Sequence, residues 1–206
     1  MSGRGSAVLP EQPLVQVEDQ EYIHYRKGSL VMYRLQDEIG EDAVNRALRT
    51  LLAKYAFKGP PYPTSTELVA DLRAVTPPEK QGLITDLFEK ITLYDLKAVR
   101  ASTRRRPDGR YDIDLTVSAE KIYADGRGKQ TSAPMNETLD IGLFATDPTK
   151  PGFNPSKVVE MVHMPISSGT HTLRLIAPNA PNFAGIDPYN KLIDRNADDN
   201  VVAVMR

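Results

Sequence analysis

Apolar residues recur at helical spacing through residues 24–91 and at alternate positions after that, so the period changes from 3.6 to 2 near residue 92. A chain with that change is expected to be helical first and stranded second. In residues 24–39, Val31, Leu35 and Ile39 make one stripe, and Leu30, Met32 and Tyr33 widen it, which predicts a helix buried over most of its surface. Gly40 follows as a residue that can take positive φ and stop a helix. Residues 41–56 carry the cleanest period, with Val44, Ala47, Leu48, Leu51, Leu52 and Tyr55 on one face. Glu41 and Asp42 stand where the helix dipole favours negative charge. Gly59-Pro60-Pro61-Tyr62-Pro63 breaks the chain, and Thr64 with Glu67 has the spacing of a capping box. The third helix behind it should face Leu68, Val69, Leu72 and Val75 inward. Pro77-Pro78 then separates a fourth helix, residues 79–90, with Leu83, Ile84, Leu87 and Phe88 inward, followed by Ile91.

Beyond residue 92, Tyr111, Ile113, Leu115, Val117 and Ala119 alternate with Asp112, Asp114, Thr116 and Ser118, the pattern of a strand with one buried face. Pro107-Asp108-Gly109 is a turn signal, so residues 93–104 are read as its hairpin partner. Further strands are expected at 138–144, 157–166, 170–176 and 200–204. About seven short strands with Gly and Pro turns suggest an antiparallel sandwich of immunoglobulin-like type. The expected fold is α+β: a flexible lead-in over 1–20, a layer of about four short helices over 21–91, and the β-sandwich over 92–206. Leu14 and Val15 are the lead-in residues expected to dock.

Composition narrows the function classes. With 206 residues, 40% of them hydrophobic and 26% charged, the chain can bury real cores. A net charge of -1 gives no general attraction to nucleic acid or anionic membrane. Arg104-Arg105-Arg106 and Arg110 are basic, yet Asp108, Asp112 and Asp114 surround them, so a solvated hairpin tip is expected there. No apolar run reaches the roughly 20 residues of a membrane span, and Met1-Ser2-Gly3-Arg4-Gly5-Ser6 has no apolar segment of a signal peptide behind it. The chain is therefore expected to be soluble. Without cysteine there are neither disulfides nor thiolate ligands.

The chemistry centres on Glu21-Tyr22-Ile23-His24-Tyr25-Arg26-Lys27-Gly28-Ser29-Leu30-Val31-Met32-Tyr33, where polar, aromatic and basic residues run into an apolar helix. A phenol at such a position can be held by the helix while its hydroxyl faces a cleft and donates to an oxyanion. The ordinary alternative is a packed tyrosine bonded to backbone. Tyr25-Arg26-Lys27-Gly28, with Ser29 to Leu35 behind it and Ile39-Gly40-Glu41 closing, resembles the Tyr-x-Lys-Gly segment of gluzincin zinc aminopeptidases of the aminopeptidase N type. The form Tyr-Ile-His-Tyr-Arg-Lys-Gly-Ser-Leu-Val-Met-Tyr is most similar to a bacterial branch fused behind an ABC-transporter-type permease, and the likeness runs from about Pro13 to the end.

The resemblance implies that Tyr25 stabilises the tetrahedral intermediate opposite zinc, that the helices after it wall the cleft, and that a β-domain follows. It also implies a zinc site, His-Glu-x-x-His plus a later Glu, upstream of the tyrosine segment. This sequence has only His24, His163 and His171, in no such pair. The expectation is a C-terminal peptidase portion, inactive alone, binding no zinc itself. In the complete parent, zinc, a peptide substrate and the upstream catalytic half would be its partners, and permease spans would anchor it in a bacterial inner membrane. The alternative is a non-catalytic interaction module with the sandwich as binding platform. Lys27 is expected to pair with a carboxylate behind the helix, and Gly28 to permit close packing. His163 and His171, on neighbouring expected strands, could face one another across a turn, without a third ligand. Residues 187–200 are rich in oxygen donors, and Asp194-x-Asn196-x-Asp198 begins like a calcium loop. Asp199 then stands where that loop needs Gly, and Met205 where it needs Glu. An ordered loop is expected there, with calcium binding as its alternative.

Overall fold

The computed structural model describes residues 10–18 and 20–206; residues 1–9 and Asp19 of the expected lead-in lie outside the described residues. The chain is α+β and forms two compact units, one of Met1–Thr92 with Tyr123–Thr131, the other of Leu93–Ile122 with Ser132–Arg206.

In the helical unit, α1 (Gly28–Ile39) is entered through a π-helical stretch, Tyr22–Lys27. Val31 and Leu35 are buried as the stripe requires, but Tyr33 is 55% exposed and Arg34 is buried instead. The apolar face is thus narrower than the sequence suggests. Arg34 can lie inside because its guanidinium reaches Glu38 at 2.6 Å and Asp37 at 3.7 Å on its own helix while its stem covers apolar surface. Gly40, at φ 85°, separates α1 from α2 (Glu41–Tyr55). That helix buries Ala43, Val44 and Ala47, whereas Leu52, expected inward, is 62% exposed. Its last turn is tied to α3 (Ser65–Val75) by Lys54 bonded to Asp71 and the Tyr55 hydroxyl bonded to Glu67. Thr64 and Glu67 form the expected capping box, with the Thr64 N–H donating to Glu67 Oε2 at 2.5 Å.

The fourth helix is not one regular element. It consists of a 3-10 turn (Pro78–Lys80), α4 (Gln81–Ile84) and a π-helical stretch (Thr85–Glu89). Arg73 of α3 spans these pieces, donating to Thr85 Oγ1 and Glu89 Oε2, each at 2.8 Å. The core joins Val31, Leu35, Val44, Ala47, Val69, Leu72, Ile84 and Phe88, and Leu14 and Val15 pack against it. The Tyr123 hydroxyl donates to Asp86 at 2.6 Å, and Lys90 Nζ sits 5.5 Å from the Tyr123 ring centroid.

The strands are β1 (Ile91–Arg105), β2 (Tyr111–Ala124), β3 (Gln130–Ala133), β4 (Asn136–Phe144), β5 (Val158–Ser167), β6 (Gly169–Ala177), β7 (Phe183–Ile186) and β8 (Val201–Met205), and the second unit holds all of them except residues 91–92, 123–124 and 130–131. Their order is β3-β2-β1-β8-β7-β4-β5, with β6 also paired to β2. Ile113, Leu115, Val117 and Ala119 of β2 are all buried, as alternation requires, and face Leu96, Leu139, Ile141, Leu143 and Ile186 in one core cluster. The expected all-antiparallel arrangement fails along β1: β1 and β8 run parallel, with Ala101 opposite Val204 and Ser102 opposite Met205, and Tyr94 forms an isolated parallel bridge with Asp194. Alternation reports which face is buried and is silent about the direction of the neighbour.

Strands β3 and β7 went unforeseen: Gln130-Thr131-Ser132-Ala133 is mostly polar, and Phe183-Ala184-Gly185-Ile186 is short and buried at its last three positions. Gly185 is required there by close approach, since a Cβ would lie 2.6 Å from the Asn200 carbonyl oxygen. Gly185→Ala is expected to destabilise by about 1–3 kcal/mol. Gly82→Ala, at a helical site with nothing within 4 Å of the added carbon, should be neutral or stabilising by about 0.5–1 kcal/mol. Urea unfolding of both variants tests the contrast; equal effects would contradict it.

At the β1–β2 tip the arginine run is paired with its aspartates, as expected. Arg106 reaches Asp112 at 2.8 Å, Arg104 reaches it at 3.3 Å, and Arg110 reaches Asp108 at 2.9 Å. Hydrogen bonds from Arg110 and Arg106 hold the Asp108 and Asp112 carboxyls, respectively, below the usual carboxylate range. A depressed folded-state pKa contributes stability that is complete above the unfolded pKa and is lost as pH falls through the folded one. Asp112→Asn should therefore flatten the decline in stability below about pH 4. Identical acid profiles for variant and wild type would remove this hairpin from the acid response.

Candidate functional site

The Tyr25 segment is fixed from behind. Gln20 is buried, its Nε2 donates to the Pro10 carbonyl at 2.9 Å, and its own carbonyl accepts from Ile23 N at 2.9 Å and His24 N at 3.2 Å. Ile23 and Lys27, one turn apart, point inward at 1% and 3% exposure. With those two buried, Tyr25 is turned outward and is 69% exposed. The turn that carries it is π-helical, a wider geometry that occurs in short pieces and often at functional sites. The His24 ring lies 4.7 Å from the Tyr25 ring at 46°, which restricts the phenol without covering it.

Lys27 pairs with Glu11, at 3.6 Å, which is the carboxylate expected behind the helix. Burial pushes the Lys27 ammonium below its usual pKa, and Glu11 works against that shift. Close packing does not demand glycine at position 28, because an added Cβ would meet Leu14 Cδ1 at 3.9 Å, an ordinary contact.

The chain's histidines do not fit the zinc site that the resemblance implies. The His24 ring lies tilted against Tyr25, His163 Nδ1 bonds Asp140 Oδ1 at 2.6 Å, and His171 Nε2 bonds the Ser167 carbonyl at 2.8 Å. Among the described residues, no three of His, Cys, Asp and Glu gather as a metal-binding group. Nor do His163 and His171 face one another: His163 is opposite Asp140 in the β4–β5 ladder, and His171 is opposite Val117 in the β2–β6 ladder. Among the described residues no helix is long and apolar enough to cross a membrane.

One polar cluster escaped the sequence pattern. Asp140, 4% exposed on β4, accepts from Lys191 Nζ at 2.9 Å as well as from His163. The available signal was a carboxylate inside the apolar run Leu139-Asp140-Ile141. Burial, then the charge of Asp140, raises the pKa of the neighbouring Tyr189 phenol. A carboxylate-bound imidazole can relay a proton, but no hydroxyl or thiol nucleophile is bonded to His163 among the contacts described. The Tyr25 turn is therefore the better candidate site. Comparison with protein-family models and with characterised protein sequences gives no match to this chain.

Proposed function

We propose that the chain is the C-terminal portion of a zinc aminopeptidase of the gluzincin type, supplying Tyr25 as hydrogen-bond donor to the oxyanion formed at the scissile carbonyl. The observation that carries this is the exposure of Tyr25, at 69%, on a turn whose neighbours Ile23 and Lys27 are buried. A donor fixed before reaction stabilises developing charge without reorganising, which is the property an oxyanion site needs. The zinc ligands and general base belong to an upstream half, and the peptide substrate binds only to the complete protein. Permease spans before that half would anchor the parent in a bacterial inner membrane.

The strand-rich unit is read as an immunoglobulin-like sandwich following the catalytic region. The strands join into one eight-stranded sheet, and what supports the reading is that Ile113, Leu115 and Val117 of β2 share a core cluster with Leu139, Ile141 and Leu143 of β4. The deciding experiment is to read the frame upstream of Met1 and assay the product. The expected result is a His-Glu-x-x-His segment with a later Glu, and a full-length protein that releases N-terminal residues from peptides until a chelator removes its metal. A frame without those ligands, or stoichiometric zinc in the 206-residue chain itself, would overturn the proposal.

A non-catalytic interaction module is the alternative. It is favoured by Leu52, Phe57 and Tyr62, which are 62%, 109% and 71% exposed at and just beyond the end of α2.

A further inference from the structure

The loop between β7 and β8 contains buried oxygens that the Tyr25 site does not use. The backbone fixes the loop against β1: Tyr94 N donates to the Ile193 carbonyl and Arg195 N to the Tyr94 carbonyl, each at 2.9 Å. Asp194 between them turns Oδ1 to two N–H groups, Asn196 at 3.1 Å and Leu96 at 3.5 Å. Its Oδ2 is buried and has no hydrogen-bond partner among the described residues. Asn200 is 0% exposed, and neither Oδ1 nor Nδ2 of its amide has such a partner. That amide nevertheless lies beside Asp194, where it and the two N–H groups offset part of the upward shift that burial imposes on the carboxyl. Adjacent Asp199 gives Oδ2 to Lys97 at 3.3 Å and buries Oδ1 without a partner.

Buried polar atoms without partners are few in folded proteins, and here three acceptors and one donor occur within residues 194–200. We propose that Asp194, Asp199 and Asn200 form a calcium site, with Asp194 Oδ2, Asn200 Oδ1 and Asp199 Oδ1 as protein ligands and water completing the shell.

The donor set selects the cation. Two carboxylates and an amide carbonyl are hard oxygen ligands, suited to calcium or magnesium and lacking the nitrogen or sulfur that zinc prefers. Calcium tolerates an irregular loop, whereas magnesium demands near-ideal octahedral geometry. The site differs from the calcium loop that the Asp194-x-Asn196-x-Asp198 spacing suggests, because Asn196 and Asp198 are exposed and the inward oxygens belong to other residues. Its place in the fold gives it a role. Asn200 O accepts from Ile186 N at 2.9 Å at the entry to β8, and Asp194 is seated on β1, so the ion would clasp the strand that closes the parallel β1/β8 register.

The test uses the 206-residue protein stripped by chelator. Calcium should raise Tm saturably by several degrees, magnesium at equal concentration should do much less, and terbium should show tyrosine-sensitised emission through neighbouring Tyr94 that calcium displaces. Asp194→Asn keeps an acceptor for the Asn196 and Leu96 N–H groups and removes the charge, so it should lose both responses by at least about tenfold in apparent affinity. Asp199→Asn provides the same readout should Asp194→Asn fail to fold. Absence of a saturable response in the wild type, an equal response to magnesium, or an undiminished response in a folded variant would overturn the proposal.

Discussion

If the chain is part of a peptidase as proposed, Tyr25→Phe in the full-length protein is expected to lower turnover by about two to three orders of magnitude, the usual cost of deleting one oxyanion donor. The loss should fall on kcat and on kcat/KM together, since the hydrogen bond strengthens only as the oxyanion forms; KM should change little. Phenylalanine is the informative replacement. The ring is exposed and its tilted contact with His24 does not need the hydroxyl, so Tm should remain within the range of a neutral surface change, about 0.5 kcal/mol or less in stability. A variant with unaltered Tm and unaltered turnover would remove Tyr25 from the chemistry. A fall in Tm would instead assign the hydroxyl to packing. His24→Ala separates a positioning role: it should lower turnover less than Tyr25→Phe, and adding it to Tyr25→Phe should cost almost nothing further.

The helical unit was legible wherever a local rule governs it. Gly40 stops α1, Thr64 and Glu67 cap α3, and the inward residues Val31, Leu35, Val69 and Leu72 follow from period alone. Arg34 and Leu52 broke the pattern for reasons that apolar period does not report. The first is satisfied by Asp37 and Glu38 on its own helix, and the second stands on a turn whose charged and phenolic neighbours, Lys54 and Tyr55, are the groups that bond α3. Most strands were placed by alternation, but β3 is exposed at its first three positions and β7 has no alternation, so neither was foreseen, and the parallel β1/β8 contact joins residues about a hundred positions apart. The Tyr25 segment could be picked out in the sequence, while its π-helical turn and the burial of Lys27 against Glu11 could not. Those depend on which residues come to lie behind the turn.

Asp140→Ala is expected to destabilise the strand-rich unit by about 3–5 kcal/mol, the cost of removing one partner from a buried ion pair. Asp140 is 4% exposed and Lys191 9% exposed, so little solvent is present to screen the lysine once the carboxylate is gone. The pair also shapes the loop above β4. Asp187 N donates to the Asp140 carbonyl at 2.8 Å, and the Asp187 carboxylate accepts from Lys191 N and Leu192 N, each at 3.0 Å. His163 contributes less, because its side chain is 63% exposed and solvent can take over its hydrogen bond to Asp140. His163→Asn should accordingly cost about 1 kcal/mol or less. Two measurements separate charge from packing. Asp140→Ala combined with Lys191→Met should recover much of the loss, since both buried charges are then gone. The Tyr189 phenol, raised by burial and then by the Asp140 charge, should titrate at lower pH in Asp140→Ala, which absorbance of tyrosinate can follow. A double variant as unstable as the single one, with the tyrosine titration unmoved, would place the cost in the shape of β4 instead of in the charge it buries.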